Sequence, residues 1–184
     1  MSKSKSIGLF GSSFNPPHLG HFEVLKDLSQ KNIFEEIWLL PVFKHPFDKD
    51  LWPYEMRLKL IKLFLKDLDQ DQIKISEIER ELGKNPSYMF DTVIALKQKY
   101  PDFHFSLVLG SDCKKDLPKW YRYKNLKTEV DFYFIPRKGY EQSPFSEISS
   151  GEIREKLQRG QLLEGMTTKT ITEFLNAYVK AKRN

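Results

Sequence analysis

A single cysteine, Cys113, stands among 184 residues. One thiol forms no intramolecular disulfide and fits a reducing compartment. Cys113 reads as a small buried filler rather than a reactive group. Only four histidines occur, and His45 and His104 lie at no useful spacing from His18 and His21. A zinc centre is therefore the weaker reading, and no protein-held metal is expected. No apolar run approaches the roughly 18 residues needed to span a bilayer. The basic start, Met1-Ser2-Lys3-Ser4-Lys5-Ser6, leads into too short an apolar stretch for a secretory signal. These absences predict a cytoplasmic chain with no membrane partner.

No internal repeat, low-complexity segment or linker interrupts the chain, so one domain spanning residues 1–184 is expected. Thirty Lys and Arg against 25 Asp and Glu give a net charge of +5. The lysines are spread along the chain, which favours an ordinary solvated basic surface. An anionic partner is permitted. No segment alternates stacking aromatics with arginines as single-strand binders do, so no nucleic acid is expected.

What is present is an alternation of apolar runs and helical patterns. Residues 7–10, 36–42, 72–75, 103–109 and 130–135 read as strands. Helices are predicted over 20–31, from Pro53 as a first helical position, over 88–100 with Ser87 as N-cap, over 151–158 and over 168–180. Strand–helix alternation indicates an α/β fold: a Rossmann-like open parallel sheet with helices on both faces. Right-handed crossovers place the loops after the strands along one edge, where such sheets bind ligands.

Directly after the first strand comes Gly11-Ser12-Ser13-Phe14-Asn15-Pro16-Pro17-His18-Leu19-Gly20-His21. Gly11 permits close backbone approach, the two prolines stiffen the turn, and a helix opens near His18 with its N–H groups facing outward. An anion there meets amides and the positive helix end. His18 and His21, three apart, share one face and can donate to phosphate oxygens. A lone histidine at a helix start is usually a cap; two in register behind a glycine turn are less often accidental. The turn is neither a Walker loop nor the three-glycine dinucleotide fingerprint. A second helix start, Ile148-Ser149-Ser150-Gly151-Glu152-Ile153-Arg154, brings hydroxyls and an arginine one turn apart. Alone it reads as an N-cap with a surface arginine.

The first of these segments resembles the Gly-x-Phe-Asn-Pro-x-His-x-Gly-His signature of the nucleotidylyltransferase superfamily, with one extra position after Gly11. The second resembles that superfamily's Ile-Ser-Ser-Thr-x-Ile-Arg. Between them, Pro86-Ser87-Tyr88-Met89-Phe90-Asp91-Thr92, Leu109-Gly110-Ser111-Asp112, Leu117-Pro118-Lys119-Trp120-Tyr121 and Arg137-Lys138-Gly139-Tyr140 look like the bacterial nicotinate-mononucleotide adenylyltransferase branch. The resemblance runs in order over nearly the whole chain. It implies the nucleotidylyltransferase fold and transfer of the adenylyl group of ATP to a pyridine mononucleotide, with pyrophosphate released and no covalent enzyme intermediate. By resemblance His18, His21 and Arg154 are catalytic. ATP would be met by Gly11, Ser12, Ser13, Phe14, His18, His21, Gly110, Asp112, Ser149, Ser150, Ile153 and Arg154. The mononucleotide would meet Ser12, Phe14, Lys44, Ser87, Tyr88, Trp120 and Tyr121. Trp120 would stack on the pyridine ring and Asp112 accept from a ribose hydroxyl; their plainer readings are core packing and a helix cap. Mg2+ would arrive with ATP, held mostly by phosphate and water. Oligomeric state is left open, a homodimer included.

The chain departs from the family pattern in three places. Residues 42–49 read Val-Phe-Lys-His-Pro-Phe-Asp-Lys where relatives have Pro-Pro-His-Lys, so the basic pair is displaced among Lys44, His45 and Lys49. Met89 replaces a threonine near the expected pyridine site, and Gly151 replaces the threonine of the second signature. The stretch 139–148 is also shorter. These changes keep open nicotinamide mononucleotide or another phosphate acceptor, such as phosphopantetheine. They also keep open a nucleotide-binding homologue with weak catalysis.

Overall fold

A computed structural model describes residues 4–47, 49–137 and 142–183. They group into two compact units, each drawn from three stretches of chain. One comprises Met1–Ser13, Lys31–Asp50 and Asp71–Pro144; the other comprises Phe14–Gln30, Leu51–Gln70 and Phe145–Asn184.

The first unit carries the sheet: β1 (Lys5–Ser12), β2 (Glu36–Pro41), β3 (Ile73–Ile75), β4 (Phe103–Gly110) and β5 (Asp131–Ile135). All neighbours pair in parallel, in the order β3-β2-β1-β4-β5. This is the expected open parallel sheet of an α/β fold. Alternate residues on β1, β2 and β4 (Ile7, Leu9, Trp38, Leu40, Phe105, Leu107, Leu109) enter one hydrophobic cluster. It includes Val93 and Leu96 of α4 (Met89–Lys99), Leu126 of α5 (Tyr123–Glu129) and Ile78 of α3 (Ile78–Leu82). Fully burying one such side chain contributes about 1.5–3 kcal/mol, so this face fixes the register of the strands. Residues pointing to the opposite face, Phe10, Ile37, Leu39 and Val108, are buried as well. That explains why the strands read as continuous apolar runs.

At the amino ends of the strands, buried Glu36 gathers three partners. Its carboxylate accepts from Lys5 Nζ of β1 at 2.7 Å, from the Trp38 indole at 2.7 Å and from Lys74 of β3. Burial works to raise the pKa of this group, but the three hydrogen bonds outweigh it and hold the pKa at about 2.

The helix expected from residue 88 starts at Met89, with Tyr88 and not Ser87 at the cap position. The Ser87 hydroxyl is engaged elsewhere, accepting from the Lys44 N–H at 3.2 Å. Two short helices, α3 and α5, and two 3-10 turns at Ser111–Lys115 and Leu117–Lys119 were not foreseen. Each is shorter than the roughly 11–18 residues over which a helical period can be recognised.

The second unit is helical: α1 (Leu19–Gln30), α2 (Tyr54–Leu68), α6 (Ser150–Gln158) and α7 (Lys169–Arg183). Pro53, expected inside the helix, is the residue before it. Phe22 of α1 meets Phe64 of α2 edge-on at 6.0 Å. Lys59 of α2 lies 4.5 Å from the Phe174 ring centre of α7. Asp67 of α2 accepts from the Thr170 N–H at 3.1 Å. Burial works against ionisation of this carboxyl, yet the neighbouring Thr168 hydroxyl and the hydrogen bonds from Thr170 leave its pKa below the usual value.

Candidate active site

In the helical unit, Phe14 to His18 form the turn that opens α1. Phe14 adopts φ 46°, is fully buried, and sets its ring 5.1 Å from that of His21. Three successive carbonyls of this turn accept hydrogen bonds from residues more than 130 positions later. Arg154 Nη1 donates to Asn15 O at 2.7 Å, Ser150 Oγ to Pro16 O at 2.7 Å, and Thr167 Oγ1 to Pro17 O at 2.9 Å. The Leu19 N–H adds a fourth link, to Met166 O at 3.0 Å. Thus the histidine turn and the late serine–arginine corner form one structure.

The His18 and His21 rings lie 3.7 Å apart, tilted by 35°. Both are buried. His21 Nδ1 accepts from the His18 N–H at 3.3 Å, so a neutral His21 carries its proton on Nε2. Gly20 makes room for this packing. A methyl group there would come within 2.9 Å of the Ser146 carbonyl oxygen and 3.1 Å of His18 Nδ1. Ser146 is itself pinned, its N–H and hydroxyl both donating to the Glu23 carboxylate at 2.6 Å.

At the start of α6, Ser149 is the cap, its hydroxyl accepting from the Glu152 N–H at 3.1 Å. The amides of Ser150 and Gly151 have no carbonyl one turn earlier to meet. A side chain on Gly151 would find only Ser149 Oγ at 3.7 Å, so nothing here requires glycine. Ile153 is fully buried and its N–H meets Ser149 O at 3.3 Å. Its side chain belongs to the interior of the unit.

In the sheet unit, the strand order reverses direction between β1 and β4. At the carboxyl edge this switch point is bordered by Gly11 and Ser12 on one side and Gly110, Ser111 and Asp112 on the other, where open α/β sheets take their ligands. Gly110 has the Asp112 carboxylate folded back over it. A methyl at Gly110 would lie 2.2 Å from Asp112 Oδ1 and 3.2 Å from Arg137 Nε. The Ser111 hydroxyl accepts from the Arg137 N–H at 2.9 Å. Of the Arg137-Lys138-Gly139-Tyr140 segment only Arg137 belongs to the described residues.

Beside Gly11 lies the start of α4, with the Met89 methyl 3.0 Å from where a Gly11 side chain would begin. Tyr88 stacks on Tyr121 at 4.4 Å. Arg122 lies 5.5 Å from the Tyr121 ring centre and 5.3 Å from that of Phe90. Trp120 is half-buried, packed against the hydrophobic cluster. Burial pushes the Cys113 thiol pKa upward, consistent with a filler role.

Among the described residues, no three His, Cys, Asp or Glu side chains come together as metal ligands. No helix among them is long and apolar enough to cross a membrane.

Several supporting residues escaped sequence reasoning. Asn15 is a hub: besides its carbonyl contact to Arg154, its side-chain oxygen accepts from the Trp52 N–H at 3.0 Å. Arg57, fully buried, donates from Nε to Trp52 O at 3.0 Å. Thr167 likewise carried no local signal; an arginine on the apolar stripe of α2 was the one available hint.

A parallel sheet with its switch point between β1 and β4, and a glycine–serine turn running into a histidine-bearing helix, define an α/β nucleotide-handling fold. The chain belongs to the cytidylyltransferase-like family, whose sequence pattern matches residues 9–156. It is 33% identical to a probable nicotinate-nucleotide adenylyltransferase of Anaeromyxobacter sp. (strain K), covering 95% of this chain and 96% of that protein. With the corresponding protein of Bacillus licheniformis it shares 32% identity, over 97% of each. A crystal structure of a candidate nicotinate-nucleotide adenylyltransferase from Vibrio parahaemolyticus superposes with a TM-score of 0.78 at 28% identity, covering 93% of this chain and 98% of that one. The nicotinic acid mononucleotide adenylyltransferase of Plasmodium falciparum, complexed with NaAD, shares the fold at TM-score 0.84 and 21% identity, over 98% of both chains.

Proposed function

We propose that the chain transfers the adenylyl group of ATP to nicotinate mononucleotide, giving deamido-NAD and pyrophosphate in NAD biosynthesis. A phosphate oxygen of the mononucleotide attacks the α-phosphorus in line; a P–O bond forms and the bond to the pyrophosphate oxygen breaks. Catalysis rests on alignment and charge stabilisation. The observation that carries this reading is the capture of the Asn15 and Pro16 carbonyls by Arg154 and Ser150, directly before His18.

In this reading His21, its Nδ1 occupied, donates from Nε2 to a phosphate oxygen, and His18 is held alongside for the same purpose. Arg154 keeps guanidinium N–H groups beyond the one given to Asn15 and meets the outer phosphates with Ser149 and with the first amides of α6, that of Ser150 included. Gly11, Ser12, Ser13 and Gly110 let the nucleotide approach backbone, Phe14 and Ile153 act through their main chains, and Asp112 accepts from ribose. Lys44, Ser87, Tyr88, Trp120 and Tyr121 serve the mononucleotide. Mg2+ enters bound to ATP, as part of the substrate, and neutralises phosphate charge. The near-complete overlap with the Anaeromyxobacter relative supports residues 1–184 acting as one domain. A cytoplasmic setting is part of the proposal, supported by the single cysteine.

Pyrophosphate release is the test, measured with ATP and either nicotinate or nicotinamide mononucleotide. The nicotinate form is expected to give the higher kcat/KM. His18→Ala is expected to lower kcat about a hundredfold or more with little change in ATP affinity. Absence of turnover with both mononucleotides, despite ATP binding, would reject the assignment.

A further inference from the structure

Glu79, at the second position of α3, is 4% exposed. Burying a carboxylate is costly unless hydrogen bonds hold it. Its Oε2 accepts from the Phe43 N–H at 3.0 Å, and Oε1 lies 3.5 Å from the Thr92 hydroxyl of α4. The next residue, Lys44, is fixed from the other side: its N–H donates to Ser87 Oγ at 3.2 Å and its carbonyl accepts from the Ser87 N–H at 2.9 Å. One residue earlier, the Val42 N–H donates to Ser12 O at 3.1 Å and extends the β1–β2 ladder. The backbone from Val42 to Lys44 is thus clamped on three consecutive residues.

The Lys44 side chain, in contrast, is exposed, with Nζ 5.7 Å from the Phe43 ring centre. It lies three residues beyond Pro41, the last β2 residue in register with Ser12, at the carboxyl edge of the sheet on the β2 side of β1. His45 and Lys49 are held differently. His45 Nδ1 accepts from the Phe47 N–H at 3.1 Å within the exposed loop, and Lys49 is exposed. Lys44 has its own main chain tied to Ser87, at the approach to α4, and its neighbour Phe43 tied to α3.

We infer that Glu79 is a positioning residue for the acceptor: through the Phe43 amide it holds Lys44 where an anionic group of the mononucleotide is recognised. The inference rests on the adenylyltransferase reading and assigns the displaced basic position of this chain to Lys44. Glu79 touches no substrate; it sets the geometry of the cation that does.

The test is a double-mutant cycle with Glu79→Ala and Lys44→Met, read as KM for nicotinate mononucleotide against KM for ATP, alongside melting temperatures. Glu79→Ala is expected to raise the mononucleotide KM about tenfold while the ATP KM stays within about twofold, the scale of one lost charge-assisted contact. Glu79→Gln, which keeps an acceptor oxygen, should rescue most of that loss and folds if the alanine variant does not. In the Lys44→Met background the Glu79 substitutions should change the mononucleotide KM little, because both act through one cation. Equal rises in both KM values, full additivity, or a lower melting temperature with unchanged mononucleotide KM would overturn the inference while leaving the activity standing. If the parent protein shows no turnover, calorimetric titration with nicotinate mononucleotide decides the matter. A selective affinity loss in the Glu79 variants would sustain the positioning role, and no binding by the parent would overturn both readings.

Discussion

Arg154 and Asn15, 139 positions apart in the chain, meet through a 2.7 Å hydrogen bond from the guanidinium to the main-chain carbonyl. The contact anchors the histidine turn, and in the proposed reaction Arg154 also offers its remaining donors to the phosphates. Arg154→Ala should therefore lower kcat/KM for ATP about a hundredfold or more. Arg154→Lys should recover only part of this, because an ammonium lacks the planar fork that serves two partners at once. Steady-state pyrophosphate release over a range of ATP concentrations checks both.

Gly20→Ala tests the packing behind His18. The added methyl would stand 2.9 Å from the Ser146 carbonyl, which Glu23 holds in place, so the strain falls on the His18 ring or on the helix. Alanine's helix propensity offsets about 1 kcal/mol, and overpacking of this kind costs about 1–3 kcal/mol. Net destabilisation by urea titration, with a fall in kcat, is the expected outcome; a stabilised, fully active variant would contradict this account.

Glu36 provides a pH signature. Its folded pKa, about 2, is below the ordinary 4.5, so the stabilisation is fully present above pH 4.5 and is lost as pH falls towards 2. With its lysine partners partly exposed, its worth is roughly 1–3 kcal/mol. Glu36→Gln should be less stable than the parent at pH 7, and the gap should close between pH 4.5 and 2. A constant gap across that window would show that the charge is not responsible.

Trp120→Ala should weaken mononucleotide binding by about 1–3 kcal/mol if the indole stacks on the pyridine ring. Because the side chain also packs on the hydrophobic cluster, a drop in melting temperature is expected too. Calorimetric titration separates the two effects: unchanged acceptor affinity beside a lowered melting temperature would make Trp120 a core residue only.

Local chemistry made much of the fold readable. An apolar run followed by Gly11 and two prolines predicts a strand, a turn and a helix, and each is present. The parallel sheet follows from the alternation of elements, since parallel strands need crossovers, whereas the reversal of strand order between β1 and β4 is seen only in the folded chain. Hydrogen bonds between remote segments leave no periodic trace, so Thr167, Asn15 and Arg57 were not legible as supports of the histidine turn. Ser87 shows the same limit. A serine before a helical pattern predicts a cap, but its hydroxyl serves the Lys44 backbone instead, and only the folded chain decides between those uses. The paired signatures were legible because each holds residue types that seldom gather by chance, and their spatial union required coordinates.

Because Asn15, Pro16 and Pro17 each hand their carbonyl to a donor from beyond residue 149, the opening motif is not a portable cassette. A chimera that grafts this histidine turn onto the closing third of a distant relative inherits mismatched moorings unless serine, arginine and threonine travel with it. The two segments are in effect one unit of inheritance.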